Sequence, residues 1–130
     1  NAEIFESFGQ RVVAHKAKLT DLLAWLKSER ARVLGYGAST KGTVILQYCG
    51  ITPSDITHIA DVNTDKHGCF TPGTGIPIIS EADAHAMKPN YFVVLPWHFR
   101  SNLLKREEAY LKSGGRMIFP LPEIDIVPPT

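Results

Sequence analysis

Cysteine is scarce in this 130-residue chain: Cys49 and Cys69 are the two examples, with no Cys-x-x-Cys pair and no histidine cluster beside either. That scarcity supports neither a disulfide framework nor a zinc site. It places one thiol in or near the core and the other in a loop, both reduced, as in a cytoplasmic protein. Long apolar runs are missing as well. None approaches the roughly 20 residues that span a bilayer, and no signal-peptide pattern opens the sequence, so no membrane role is expected. Neither sign of charge is in excess, with 14 Lys and Arg against 13 Asp and Glu for a net +1. No basic run or stripe gathers, which excludes nucleic acid as an expected partner. Internal repeats and low-complexity tracts are absent. So is an initiating Met: the chain opens Asn-Ala, which points to a piece of a longer protein with Asn1-Ala2 as an added pair.

What is present has the composition of one soluble domain, 44% hydrophobic and 21% charged, long enough to bury about two-thirds of its unfolded surface in a single core. Its organising stretch is Arg32-Val33-Leu34-Gly35-Tyr36-Gly37-Ala38-Ser39-Thr40-Lys41-Gly42. A short apolar run ends in a glycine-rich turn and a helical pattern follows, the sequence form of a strand, a phosphate-cradling loop and a helix N-terminus. Gly35 and Gly37 can adopt backbone angles closed to other residues and bring no Cβ toward a ligand. Ser39 or Thr40 caps the helix, leaving its first N–H groups and positive dipole end for an anion, and Lys41 adds a mobile cation. The dinucleotide fingerprint wants a third glycine where Thr40 stands. Gly42 is placed to let the helix pack close to the sheet, and Lys41-Gly42 runs the wrong way round for a P-loop. The competing reading is a tight strand-to-helix turn that binds nothing.

Alternating elements follow. Residues 3–30 read as helix, with Ile4, Phe8, Val12, Leu19, Leu22, Leu23 and Leu26 on one face, and Thr20 is a candidate N-cap dividing it in two. Strands are expected at 32–36, 56–60, 76–79, 91–95 and 116–119. The second is followed by Asp61, an acid placed to bind a ribose hydroxyl pair or simply to cap a turn, with Asn63 as a second polar contact. A helix at 40–49 is expected to bury Val44, Ile45 and Tyr48 and to end at Gly50. Residues 62–75 form a long polar loop with a Pro72-Gly73 type II turn signal, and Lys66 and His67 lie within it. Pro77 makes the third strand an edge, and Ser80-Glu81-Ala82-Asp83 opens a short helix. The wholly apolar fourth strand is expected to be central. It runs into Pro96-Trp97-His98-Phe99, where Trp97 can stack on a base or sugar and His98 can donate to a phosphate or hydroxyl, unless both merely pack. A helix at 100–112 is stopped by Gly114-Gly115, and the tail from Pro120 to Val127 reads as an edge strand or an extended arm. The whole is an α/β, Rossmann-like three-layer sandwich: a mostly parallel sheet of about five strands behind an N-terminal helix.

Four ordered motifs resemble one family: Tyr36-Gly37-Ala38-Ser39-Thr40-Lys41-Gly42; Asp61-Val62-Asn63 with Lys66 and Gly68; Thr71-Pro72-Gly73-Thr74 with Ile76-Pro77-Ile78; and Leu95-Pro96-Trp97-His98-Phe99. Together they are similar to the C-terminal domain of S-adenosylmethionine-dependent sugar C-methyltransferases, which methylate a deoxysugar carried on a nucleoside diphosphate. The resemblance implies that residues 1–31 are a connector helix and 32–130 the Rossmann-like C-terminal domain. It also implies that the zinc-binding domain and the middle methyltransferase domain are missing from this chain, and the catalytic base with them. The fragment alone is then expected to be inactive and to bind no cofactor of its own, S-adenosylmethionine and structural zinc belonging to the missing domains. Its expected ligand is the nucleoside-diphosphate sugar, held by Gly35, Gly37, Ala38, Ser39, Lys41, Asp61, Asn63, Lys66, Trp97 and His98. Two rivals stand beside this reading: an NAD(P)-binding domain of an oxidoreductase, and a docking or dimerisation scaffold that binds no small molecule.

Overall fold

The computed structural model describes the backbone of residues 2–129 and the side chains of residues 13–129. Six strands form one sheet: β1 (Val33–Tyr36), β2 (Ile59–Asp61), β3 (Ile78–Ser80), β4 (Tyr91–Val94), β5 (Arg116–Phe119) and β6 (Asp125–Val127). Their order is β3-β2-β1-β4-β5-β6. The first five run parallel, and β6 pairs antiparallel with β5 through Ile118 and Ile126. The tail is therefore an edge strand, a sixth strand beside the five expected. The chain leaves β3 at one edge and re-enters beside β1 as β4, so the strand order reverses between β1 and β4. In open α/β sheets the crevice at the carboxyl ends of such a pair is where ligands bind.

Period-2 alternation splits the strand residues between two cores. Val33, Ile59, Ile78, Tyr91, Val93 and Ile118 face α1 (Ala2–Ser28) and α2 (Thr40–Tyr48), which contribute Leu19, Leu23, Leu26, Leu46 and Cys49. Leu34, Tyr36, Ala60, Phe92, Val94, Met117 and Phe119 face the other layer, α3 (Glu81–Ala86), α4 (Arg100–Arg106) and α5 (Glu108–Lys112). The result is the expected three-layer arrangement, with β4 buried along its length between β1 and β5.

Four local expectations change. α1 is continuous through Thr20, whose hydroxyl bonds back to the carbonyls of Lys16 and Ala17 instead of capping a new helix. The expected positions Ile4, Phe8 and Val12 lie outside the described side chains. Strand β2 begins only at Ile59, because residues 52–56 are folded into a turn in which Asp55 accepts from the Thr52 N–H. The stretch at 100–112 is two helices, broken at Glu107, which turns its carboxylate into the core. Finally, α2 buries Gly42 and Leu46, with its C-cap Cys49 also buried and Ile45 packed against them, and leaves Val44 and Tyr48 exposed. The reason is Gly42. A Cβ there would overlap that of Leu95 just past β4, so α2 lies closest to the sheet at Gly42, and its buried face follows from that residue at three- and four-residue steps. The helix ends in a Schellman motif, Gly50 (φ +64°) donating to Gln47 and Ile51 to Leu46.

The close approach at Gly42 is testable. Gly42→Ala should destabilise the domain by about 1–3 kcal/mol, the range for overpacking a filled core, despite alanine's better helix propensity. Urea unfolding followed by circular dichroism measures it. A stabilised variant would show that α2 can move off the sheet at no cost.

Candidate functional site

The loop between β1 and α2 is built from its own hydrogen bonds. Gly37, at φ +82°, donates its N–H to the Ala60 carbonyl at 2.7 Å, and Ser39 N–H donates to the Gly37 carbonyl at 2.9 Å. Between them, Ala38 N–H donates to Asp61 Oδ2 at 2.8 Å, while Asp61 Oδ1 accepts from Asn63 N–H at 2.7 Å. The carboxylate is only 9% exposed. Lys66 stands over the same turn, donating to the Ala38 carbonyl at 2.9 Å with its ammonium 3.9 Å from Asp61 Oδ2. Ser39 is the N-cap of α2, its Oγ accepting from Gly42 N–H at 3.1 Å. Of the N–H groups at the end of the helix, those of Thr40 and Lys41 are left without a partner among the described residues. The exposed Lys41 side chain starts from the same turn and forms no ion pair among the described residues.

The turn after β4 closes the other side. A Cβ on Gly37 would come within 2.7 Å of Pro96 Cδ, so the two loops touch. Residues Trp97–Phe99 form one 3₁₀ turn in which His98 lies against both neighbouring rings, at centroid distances of 5.7 Å to Trp97 and 4.3 Å to Phe99. Trp97 is half-buried on the α4 side of the sheet, and His98 is exposed.

The structure thus gathers Gly37, Ala38, Ser39, Lys41, Asp61, Lys66, Trp97 and His98 at the carboxyl edge, around the point where the strand order reverses. Their availability differs. Asp61 and Lys66 are engaged in bracing the loop, and Asn63 caps the short turn Thr64–Lys66 through its side-chain oxygen. Gly35 lies within β1, and its missing Cβ makes room for Ile59 Cγ1, not for a ligand. Lys41, the two open N–H groups and His98 are the groups that face outward.

The sequence matches the C-methyltransferase C-terminal domain family over residues 1–122. The chain belongs to that family. It is also 33% identical over 112 residues to the C-methyltransferase NovU of Streptomyces niveus, an alignment spanning 86% of this chain and 27% of that protein's length.

On this C-methyltransferase C-terminal domain a second polar cluster escaped the sequence reading, because its members lie far apart in the chain. Buried Glu107 accepts from Tyr36 Oη at 3.1 Å, and its two oxygens lie 3.3 and 3.0 Å from His85 Nε2. Tyr36 Oη also lies 3.2 Å from Glu81 Oε2, and Glu81 pairs with Arg106. The residues sit beneath α3 and α4, beside a cavity of about 780 Å³ lined by His85, Lys88, Arg106, Glu107 and Tyr110 at the amino end of β4 and β5. That cavity is larger than the groove of about 460 Å³ beside the glycine loop, but its one buried carboxylate is already satisfied by Tyr36 and His85. The break between α4 and α5 is the local trace of this cluster. Burial, and then the negative charge of Glu107 and Glu81, pushes the Tyr36 hydroxyl well above its ordinary value, and burial does the same to Tyr110.

Both shifts act on stability with the same sign. The unfolded chain ionises these tyrosines near their ordinary pKa of 10.0 while the native chain keeps its protons. Stability should therefore hold up to about pH 9.5 and fall as pH rises further. Tyr36→Phe should cost about 2 kcal/mol at pH 7, the loss of one hydrogen bond to a buried carboxylate, and flatten the decline above pH 10. Urea unfolding at pH 7 and thermal melts between pH 9 and 12 measure the two effects. An unchanged alkaline slope would remove Tyr36 from the linkage.

Proposed function

We propose that this domain holds the diphosphate of a nucleoside-diphosphate deoxysugar, so that a methyltransferase domain elsewhere in the full-length protein can methylate the sugar. The observation that carries the reading is the outward-facing N-terminus of α2: open N–H groups on Thr40 and Lys41, a free ammonium, and a loop already braced by Asp61 and Lys66, all on a member of a C-methyltransferase family. A diphosphate there accepts from the two N–H groups and from Lys41, where the helix dipole favours negative charge. His98, across the turn, donates to a sugar hydroxyl or phosphate oxygen. Asp61 contributes by fixing Ala38, not by reaching the ribose.

The methyl donor S-adenosylmethionine, the structural zinc and the proton-abstracting base belong, in this reading, to the remainder of the full-length protein. Among the described residues no group of three or more His, Cys, Asp or Glu is arranged to hold a metal, and no helix is long and apolar enough to cross a membrane. The rate gain supplied by this domain is positional, since a fixed sugar makes methyl transfer a near-unimolecular step.

Calorimetric titration of the chain with dTDP, a dTDP-deoxysugar, S-adenosylmethionine and NAD tests the reading. dTDP and the dTDP-deoxysugar are expected to bind, and S-adenosylmethionine and NAD to stay silent. Lys41→Ala should weaken sugar-nucleotide binding roughly 10- to 150-fold, the scale of one charged hydrogen bond, and binding should weaken with added salt. Heat from NAD, or an unchanged Kd for both Lys41→Ala and His98→Ala, would overturn it.

A further inference from the structure

A groove of about 460 Å³ starts at the α2 N-terminus and runs away from His98, toward the β2–β3 edge of the sheet. One wall is the α2 face Thr40, Thr43, Val44 and Gln47, residues at the spacing that lines up one side of a helix. The other wall is the loop from β2 to β3, carrying Lys66, Cys69 and Phe70. That connection contains no crossover helix. It is a loop of short turns instead, tied to the β1–α2 loop and to α2: Lys66 donates to the Ala38 carbonyl at 2.9 Å, and Gln47 Nε2 donates to the Pro72 carbonyl at 2.7 Å.

Two side chains in this groove are apolar and unburied. Phe70 is 64% exposed and Val44 59%. Phe70 is not on a loose tip, because its backbone bridges to Pro77 just before β3. Its side chain and that of Val44 line the same groove from opposite walls, with the Gln47 carboxamide tied to Pro72 through Nε2 and its oxygen unpartnered among the described residues. An aromatic face, an opposing methyl surface and one fixed acceptor form a slot for a flat heteroaromatic ring bearing an N–H.

We propose that this groove is the nucleobase subsite: the base of the nucleoside diphosphate stacks on Phe70 against Val44, and Gln47 accepts from its ring N–H. The inference rests on the diphosphate reading above. It adds a direction to it. Thr40, Lys66 and Ala38 line both the loop and the groove, so a diphosphate on the open N–H groups of Thr40 and Lys41 has one end at the groove. Its other end lies toward Trp97 and His98 on the β4 side. The base then takes the β2–β3 side and the sugar the point of strand-order reversal, so base stacking falls to Phe70 in place of Trp97, which the sequence offered for a base or a sugar. The volume falls in the range of small-ligand clefts, about 300–1,000 Å³.

The test compares dTDP with inorganic pyrophosphate on the same chain by amide chemical-shift mapping, together with the Kd of Phe70→Ala. Because Phe70 is exposed, the variant is expected to fold. Pyrophosphate should shift the amides of residues 38–42 alone, and dTDP should shift these and those of Val44, Gln47 and Phe70. Phe70→Ala should weaken dTDP roughly 10- to 100-fold, the scale of one lost base–aromatic stack, and leave pyrophosphate unchanged. If dTDP shifts residues 38–42 without the groove, or binds Phe70→Ala as tightly as the parent, the base subsite is overturned and the diphosphate reading stands. If dTDP shifts neither region, both fall.

Discussion

The buried carboxylate of Asp61 is the constraint on which the ligand edge depends. It sits at the end of β2 and accepts from two backbone N–H groups that would otherwise be unmet, Ala38 on the preceding loop and Asn63 on the following one. Charge-assisted bonds of this kind are about twice as strong as neutral ones, and losing the acceptor would leave the Ala38 N–H buried without a partner. One side chain thereby fixes the exit of β1, the start of α2 and the start of the loop that leads to β3. Lys66 partly neutralises it from the solvent side and adds a second bond to the same turn. The loop is accordingly ordered by the fold, so the proposed binding of an anion would cost little further conformational entropy.

This arrangement also explains which parts of the site were legible. The glycine-rich turn, the capping serine and the position of β4 were readable because each is written in contiguous residues with a local physical signature. Ser39, Gly50 and Ser80 cap the helices expected of them. The role of Asp61 was only half-readable. An acid after a second strand is compatible with ribose binding and with loop bracing, and the choice depends on whether a neighbouring N–H reaches its oxygens, a distance no sequence states. The face of α2 misled for a related reason. Val44, Ile45 and Tyr48 were expected on the buried face, but Leu46 is the bulky residue buried there and only Ile45 of the three packs against it, because Gly42, without a side chain, permits the closest approach and decides the helix's rotation. Counting hydrophobic residues weights large groups, whereas packing here is set by the smallest one.

The cluster around Glu107 marks the limit more sharply. Tyr36, Glu81, His85 and Glu107 are spread over 71 residues between the end members, and each alone reads as an ordinary surface or strand residue. What unites them is the sheet. Tyr36 points to the α3–α4 face because Gly35 and Gly37, its neighbours, occupy the opposite register, and Phe92 on the adjacent strand packs edge-on against its ring at 5.4 Å. A carboxylate at that depth has to be met by donors. The α4–α5 break at Glu107 is the backbone's accommodation to that requirement, since its φ of −100° and ψ of 21° leave the helical region for one residue.

The two faces of the sheet consequently carry different kinds of order. On the α3–α4 face, polar groups are turned inward and satisfied, which fixes the packing and leaves no donor for a ligand at Glu107. On the α2 face, the core is mainly apolar and the loop's polar groups stand at its rim, where their N–H groups are either spent on bracing or left open at Thr40 and Lys41 among the described residues. A site made this way owes its geometry to the scaffold and its affinity to a few exposed groups. Loss of an exposed group such as Lys41 then acts on binding with the fold intact, whereas loss of a brace such as Asp61 acts on both. That asymmetry follows from the hydrogen-bond accounting alone, and the proposed binding at the helix end inherits it.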